Sequence, residues 1–468
     1  MSLLRRCFLA FLLLAAAPAF AEGDADWLYR GSDIARDPAW TFGTLPNGLR
    51  YAVRRNRLPA GQVSIRLRID AGSLHEADQE RGWAHFTEHM LFRGSRDFAD
   101  REARHVWQKL GASFGSDTNA FTSPTQTVYQ LDLPNADPGE IDLSLDVIAD
   151  MADNALFDPA TVAAEKKVIL AEKGRRPELA TRYLEASWPL FYAGLKIAAR
   201  DTIGTDATLR AADAAGLRAF YERWYRPDRA ALIMVGDADP KAMEAMIARH
   251  FGGWRATGPK PPEPDTGAIA TPARRSATLA YPGTPYTASL LWLRPYRELP
   301  NTKAHEKIDM ARALAARIIN RRLEAKARGA AAFVGAGLGE TRQSGIADMT
   351  QLAITARNGR WREAMAEAFA IIADAQKAPP SESEIAREIQ NLRTAFTSAV
   401  EGAGTVKSQQ WAQQLVGAID SDGIVATPQT TLALLEEFAP HMTPAAIAET
   451  TRGLFAGAGP RLMVAGPE

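Results

Sequence analysis

Two histidines and a glutamate stand at a spacing that can hold and use a metal ion: His85, Glu88 and His89, within residues 82–94. On a helix, residues four apart project from one face about one turn apart. Two imidazoles so placed chelate a single ion. Glu88 lies beside them, near enough to handle a water on that ion without binding the ion itself. Neutral imidazole suits zinc, and a catalytic zinc takes three protein ligands and keeps its fourth position open. One ligand is therefore still to be found. Phe86, Met90 and Leu91 give the helix apolar flanks, and Gly94 is expected to end it at the C′ position.

The missing ligand is expected to be a carboxylate on another helix. Glu165 and Glu172 are seven residues apart, two turns on roughly one face. Either could reach the ion, and spacing does not choose between them. His75, His105, His250, His305 and His441 have no partner at ligand spacing and read as surface or packing residues.

These helices need a frame, and the sequence writes it twice. Residues 63–70 alternate like a strand, and so do residues 288–294. After each comes a helix pattern, a break marked by proline and a second helix: residues 148–151 then 163–169, and residues 372–375 then 385–390. Each copy closes on a short apolar strand, residues 231–235 and 461–464. An offset of some 220 to 230 residues is too long for a solenoid unit and reads as a duplicated domain. Asn47-Gly48 marks a hairpin turn. Strands and helices come in blocks, which predicts α+β: two homologous domains, each a mostly antiparallel sheet with helices on one face. Residues 252–272 hold five prolines and four glycines and read as an extended linker between a domain at 22–251 and one at 273–468.

The 468 residues carry 55 Lys+Arg against 55 Asp+Glu, so no broad basic surface for nucleic acid is expected. Residues 1–21 read as a cleaved signal peptide: Arg5 and Arg6, an apolar run from Cys7 to Phe20, and a small-x-small site ending at Ala21. A periplasmic or secreted location follows. No later stretch is apolar for long enough to span a membrane. The sole cysteine, Cys7, leaves with the signal, so the mature chain has no disulfide and no thiolate ligand or nucleophile.

The sequence resembles the pitrilysin and mitochondrial processing peptidase family of zinc peptidases, most closely its exported bacterial branch. The residues that carry the resemblance are 45–49, 70–73, 82–94 with the His-x-x-Glu-His motif, 111–122, 165–172, 220–228 and 234–237. It covers nearly all of residues 40–250 and continues more weakly to the C-terminus. It implies a zinc endopeptidase in which His85, His89 and Glu172 hold Zn²⁺ and Glu88 is the general base. Glu165 would support the site through hydrogen bonds. The resemblance also implies that Asn119, Ala120, Phe121 and Thr122 form a strand edge that takes a peptide or unfolded protein as an added strand. Asn119 would pair with the peptide backbone near the scissile bond.

The second half lacks the histidine motif and is expected to be inactive. Related enzymes place an Arg and a Tyr there on the substrate; this chain has Phe333 at the tyrosine position and no Arg seven residues before it. Four such domains commonly form a clamshell, so a homodimer, a heterodimer with a related subunit, or one half of a longer chain is expected. The alternative is a non-catalytic or weakly active partner subunit or fragment. Against it, non-catalytic paralogues lose the motif residues and this chain keeps all four.

Overall fold

The computed structural model describes residues 27–357 and 359–467. The expected signal peptide, residues 1–21, lies outside the described residues. Within them, no helix is long and apolar enough to cross a membrane.

Two sheets form the frame. The first contains β1 (Trp40–Thr44), β2 (Arg50–Arg55), β3 (Val63–Ile69), β4 (Thr118–Thr122), β5 (Thr127–Leu133) and β6 (Ala230–Gly236). The second contains β7 (Ser276–Ala280), β8 (Thr287–Pro295), β9 (Phe333–Gln343), β10 (Ala347–Ala356) and β11 (Ala458–Gly466). Their orders are β1-β2-β6-β3-β5-β4 and β7-β11-β8-β10-β9. Without β1 the two orders match strand for strand. In each, one pair at the same end runs parallel, β2 with β6 and β7 with β11, and the other pairs are antiparallel. The duplication read from the apolar pattern is thus present in the topology. The hairpin at Asn47-Gly48 joins β1 to β2, with Gly48 at φ 95°.

Helices of each half cover one face of its own sheet and build a large core there. The packing adds one feature to the expected arrangement. The second face of the first sheet, with Trp40, Phe42, Ala231, Ile233 and Val235, is covered by the helix Ser408–Asp420 from the second half, through Trp411, Leu415, Val416 and Ile419. In return, Leu190 and Phe191 of the helix Glu178–Phe191 pack on Leu291, Leu293, Met349 and Met463 of the second sheet. The reason lies in the strands. All seven residues of β6 are buried, so apolar side chains leave both faces and both need cover.

Residues 252–272 form no helix or strand, yet they do not hang free. The Arg226 guanidinium donates to the carbonyls of Thr257, Gly258 and Pro259 at 3.0–3.1 Å. Lys196 N donates to Thr266 O at 2.8 Å, and the buried Arg461 donates to Ala270 O at 2.5 Å. Composition predicts an extended segment; buried arginines fasten it along the molecule.

Candidate metal centre

The motif helix spans Trp83–Leu91 and packs Ala84, Phe86, Met90 and Leu91 into the first core. It starts at Gly82, whose φ of 89° suits glycine, and where a Cβ would meet the Ile203 carbonyl oxygen at 2.7 Å. The buried Glu76 carboxylate accepts the Ala84 N–H at 2.9 Å, satisfying a donor in the first turn. The helix ends at Leu91 with Phe92 as its cap. Gly94, expected at C′, sits one residue further on with φ 117°, where the chain turns away. The helix Pro159–Gly174 runs beside it. Asp158 caps that helix by accepting from Thr161 N, and Pro159 occupies the first position.

Their crossing brings the motif together. His85 Nε2 lies 3.7 Å from Glu172 Oε1, and His89 Nε2 lies 3.5 Å from Glu172 Oε2. Both distances are long for hydrogen bonds. They are close to the ~3.4 Å that separates two ligands of a tetrahedral zinc with bonds of about 2.0–2.1 Å. Two imidazoles and one carboxylate converge on a shared gap, a donor set and size that fit zinc. Glu165 takes the other side of His89: its Oε1 lies 2.8 Å from Nδ1. Such a bond fixes the ring and leaves Nε2 as the free ligand atom.

Glu88 also lies within 4.8 Å of both imidazoles. Glu88 and Glu172 therefore both border the gap between the histidines, and their surroundings distinguish them. Glu88 is buried, and its Oε2 accepts a 2.6 Å hydrogen bond from the Thr122 hydroxyl. Burial pushes its carboxyl up to about 7, partly opposed by the Thr122 bond and by His89. Glu172 is about half exposed, and His89 holds its carboxyl below the ordinary value. The histidines also differ. Burial and then His89 push His85 down to about 4. Burial acts the same way on His89, but Glu165 and Glu172 outweigh it and raise His89 to about 9.

The strand edge meets this site. β4 is the outermost strand of the first sheet, paired only with β5. Thr122 turns to Glu88 and Ala120 packs on the first core, so alternate residues of β4 face the motif helix. Phe121 packs on the opposite side with the second half's helix. Asn119 is exposed, and its Oδ1 accepts from Ala120 N at 2.9 Å.

The other histidines stay away from the centre. His75 is half-buried, edge-on to Trp224, and desolvation with Arg229 and Lys196 lowers it to about 3, so it stays neutral. His250 pairs with Asp142, and His305 reaches the Pro300 carbonyl. Phe333 is fully buried in the second core and cannot touch a substrate. Sequence reasoning missed Arg93, which bonds Glu165 and Asp100 and holds the Glu165 carboxylate in place. Burial would raise Glu165; His89 and Arg93 outweigh it and keep its carboxyl below the ordinary value. The signal was there: Arg93 follows His89 by four residues, as His89 follows His85.

Comparison with known proteins places this fold in a family. Residues 51–182 match the profile of insulinase (peptidase family M16), and residues 211–392 match that of the peptidase M16 inactive domain. The chain belongs to peptidase family M16. It is 36% identical over 220 residues to the probable zinc protease PqqL of Haemophilus influenzae, a match covering 47% of this chain and 24% of that protein. To the protein of the same name in Escherichia coli it is 35% identical over 214 residues, 46% of this chain and 23% of the other. The crystal structure of the first half of the E. coli periplasmic protease PqqL superposes with a TM-score of 0.85 at 23% identity, covering 93% of both chains. Against the structure of the whole protease the coverage is 93% of this chain and 48% of the other. The chain thus spans about half of that relative, and its sequence match spans about a quarter of the curated ones.

Proposed function

We propose that the protein is a zinc endopeptidase that hydrolyses peptide bonds in extended peptides. The observation that carries this reading is the convergence of His85, His89 and Glu172 on one gap, with Glu88 hydrogen-bonded beside it. In this reading His85, His89 and Glu172 are the metal ligands and Glu165 positions His89. A zinc ion held by them would supply Lewis acidity for a water and for the scissile carbonyl. Glu88 takes the water's proton at the carboxylate oxygen not engaged by Thr122, then delivers it to the departing amine. Burial suits the task, because it brings the Glu88 carboxyl to about 7, where it both accepts and releases a proton near neutrality. The free edge of β4 aligns the substrate by main-chain hydrogen bonds. Asn119 to Thr122 provide that edge, so flexible peptides, tails and loops are the substrates.

Residues 1–21 direct the chain out of the cytoplasm in this reading, which agrees with the periplasmic relative. The chain works with a second half, from another copy, a related subunit or further sequence. Its 48% coverage of the whole E. coli protease supports this, as does the exposure of Glu172. The experiment is digestion of a peptide library with and without zinc, read by mass spectrometry. Zinc-dependent internal cuts are expected. Equal cutting by the metal-free protein, or none by the zinc-loaded one, overturns the reading.

A further inference from the structure

Beside the strand edge stands a cation without a partner. Arg104, on the helix Glu102–Lys109, is half-buried. Its guanidinium lies 4.0 Å from the ring centre of Phe114 and 5.1 Å from that of Phe92. Among the described residues it has no ion pair and no hydrogen bond, and its Nε is buried without an acceptor. An orphaned buried donor costs on the order of 1–3 kcal/mol, more when charged, so its retention needs a reason. The nearby carboxylates do not supply one. Glu165 and Asp100 act on Arg104 at a distance, but Arg93 already bonds both. Arg101 adds a further positive charge.

The place of this cation matters. Phe92 caps the motif helix and packs on Tyr129, the cross-strand neighbour of Ala120. Phe114 bridges to Thr118, the first residue of β4, through a turn with Gly115 at φ 95°. Phe114 is 47% exposed, although large aromatic side chains are usually covered. The pair therefore stands at the Thr118 end of the strand edge, on the face that carries the motif helix. Glu88 marks the other end, through Thr122. Four residues of strand separate them, roughly 13 Å.

We infer that Arg104, held between Phe92 and Phe114 beside the β4 edge, is a specificity-determining residue that selects an acidic side chain in the substrate. This rests on the proposed peptidase reading and extends it to the substrate's chemistry. A peptide added along β4 turns every second side chain toward the motif-helix face. Ser113 O and Gly115 N already take the Thr118 N–H and carbonyl at 3.0 and 2.8 Å, so the added strand pairs only as far as Ala120. The next substrate side chain on that face, about four residues from the scissile bond, abuts the turn that carries Phe114. An Asp or Glu there meets a guanidinium already desolvated on one side and aligned by two rings, with its fork free for bidentate pairing. The rings cannot take up the carboxylate, and their cation–π hold on the guanidinium keeps it in place.

The test is a peptide series of one sequence with Asp, Glu, Asn, Ala, Phe or Lys walked through positions two to six on each side of the cleaved bond. The zinc-loaded protein is used, and kcat/KM is read. One position is expected to favour Asp or Glu over Asn by about tenfold, the worth of one charged hydrogen bond, and over Lys by more. The preference shrinks as salt is raised. Arg104→Gln abolishes it while Ala-peptide cleavage stays within about twofold, Arg104→Lys keeps part of it, and Arg104→Glu shifts it toward Lys. Cleavage with no acidic preference at any position, or with an apolar one, overturns this inference and leaves the peptidase reading standing. So does an acidic preference that survives in Arg104→Glu. Failure to cleave any peptide overturns both.

Discussion

The two halves share the strand order β2-β6-β3-β5-β4 and β7-β11-β8-β10-β9, and they differ in what meets across the helices packed on those sheets. In the first half, the helix after β3 faces Pro159–Gly174, and imidazoles meet Glu165 and Glu172. In the second half, the helix after β8, Lys303–Ala327, faces Glu382–Gly402, and guanidiniums meet the glutamates. Arg322 bonds Glu384 at 2.7 and 2.9 Å, Arg321 bonds Glu388 at 3.0 Å, and Arg317 lies 3.5 Å from Glu388. A guanidinium is permanently charged and has no lone pair to give. It saturates a carboxylate and leaves nothing for a metal. A neutral imidazole orients on one carboxylate through Nδ1 and still offers Nε2. One scaffold thus carries either a cluster with free ring nitrogens or a structural ion pair, according to which base stands opposite the glutamates.

The strongest test of this contrast is Glu88→Gln against Glu388→Gln. The first is expected to lower peptide cleavage by roughly 100- to 10,000-fold at full zinc content. The second should leave activity per zinc within about twofold and lower stability by about 2 kcal/mol, the loss of charged hydrogen bonds. Initial rates, zinc analysis and denaturant melts measure all three quantities. Cleavage retained in zinc-loaded Glu88→Gln would break the division of roles.

Zinc affinity sharpens the comparison further. Glu172→Gln should lose most of its metal on dialysis, and Glu165→Gln should bind it about 10- to 100-fold more weakly. Glu384→Gln should be indistinguishable from wild type. Competition against a chromophoric chelator ranks the variants; equal affinity in Glu172→Gln and wild type would remove Glu172 from the ligand set.

A smaller effect is expected at Thr122→Val, which deletes the hydroxyl bond to Glu88. That bond favours the charged carboxylate, so its loss raises Glu88 further, and the acid limb of the kcat/KM profile should move to higher pH. A loss of about tenfold in rate near neutrality is expected. An unmoved limb would mean that Thr122 acts elsewhere.

The smallest effect is on stability, and the halves should respond in opposite senses. Burial raises Glu76 from 4.5 to about 8, so its stabilising neutral form contributes fully below about pH 4.5 and is lost as pH rises through 8. Arg322 lowers Glu384 from 4.5 to about 2, so its contribution is present above pH 4.5 and is lost as pH falls through 2. Melting curves of Glu76→Gln should therefore diverge from wild type with rising pH between these values. Those of Glu384→Gln should converge on wild type as the solution is acidified. Divergence in the same direction would show that the two carboxylates are held alike.

The sequence by itself determined the local chemistry and the frame. The His-x-x-Glu-His spacing is fully local, because a helix of 3.6 residues per turn sets which side chains share a face. The duplicated strand and helix pattern is local too, since alternation and proline breaks act within a few residues. What the sequence left open depended on how elements cross. Glu165 and Glu172 lie on one face of one helix, and only the packing of that helix against the motif helix turns Glu165 to His89 Nδ1 and Glu172 to both Nε2 atoms. The same holds for Thr122, which alternation turns inward to Glu88, and for Phe333, which the second core encloses. The proline-rich segment 252–272 reads as free chain because its partners, Arg226, Lys196 and Arg461, lie up to about 200 residues away in sequence. Arg104 is the clearest case. Nothing in its neighbours marks it, and its isolation exists only because Arg93, folded back beside it, has already taken the nearby carboxylates.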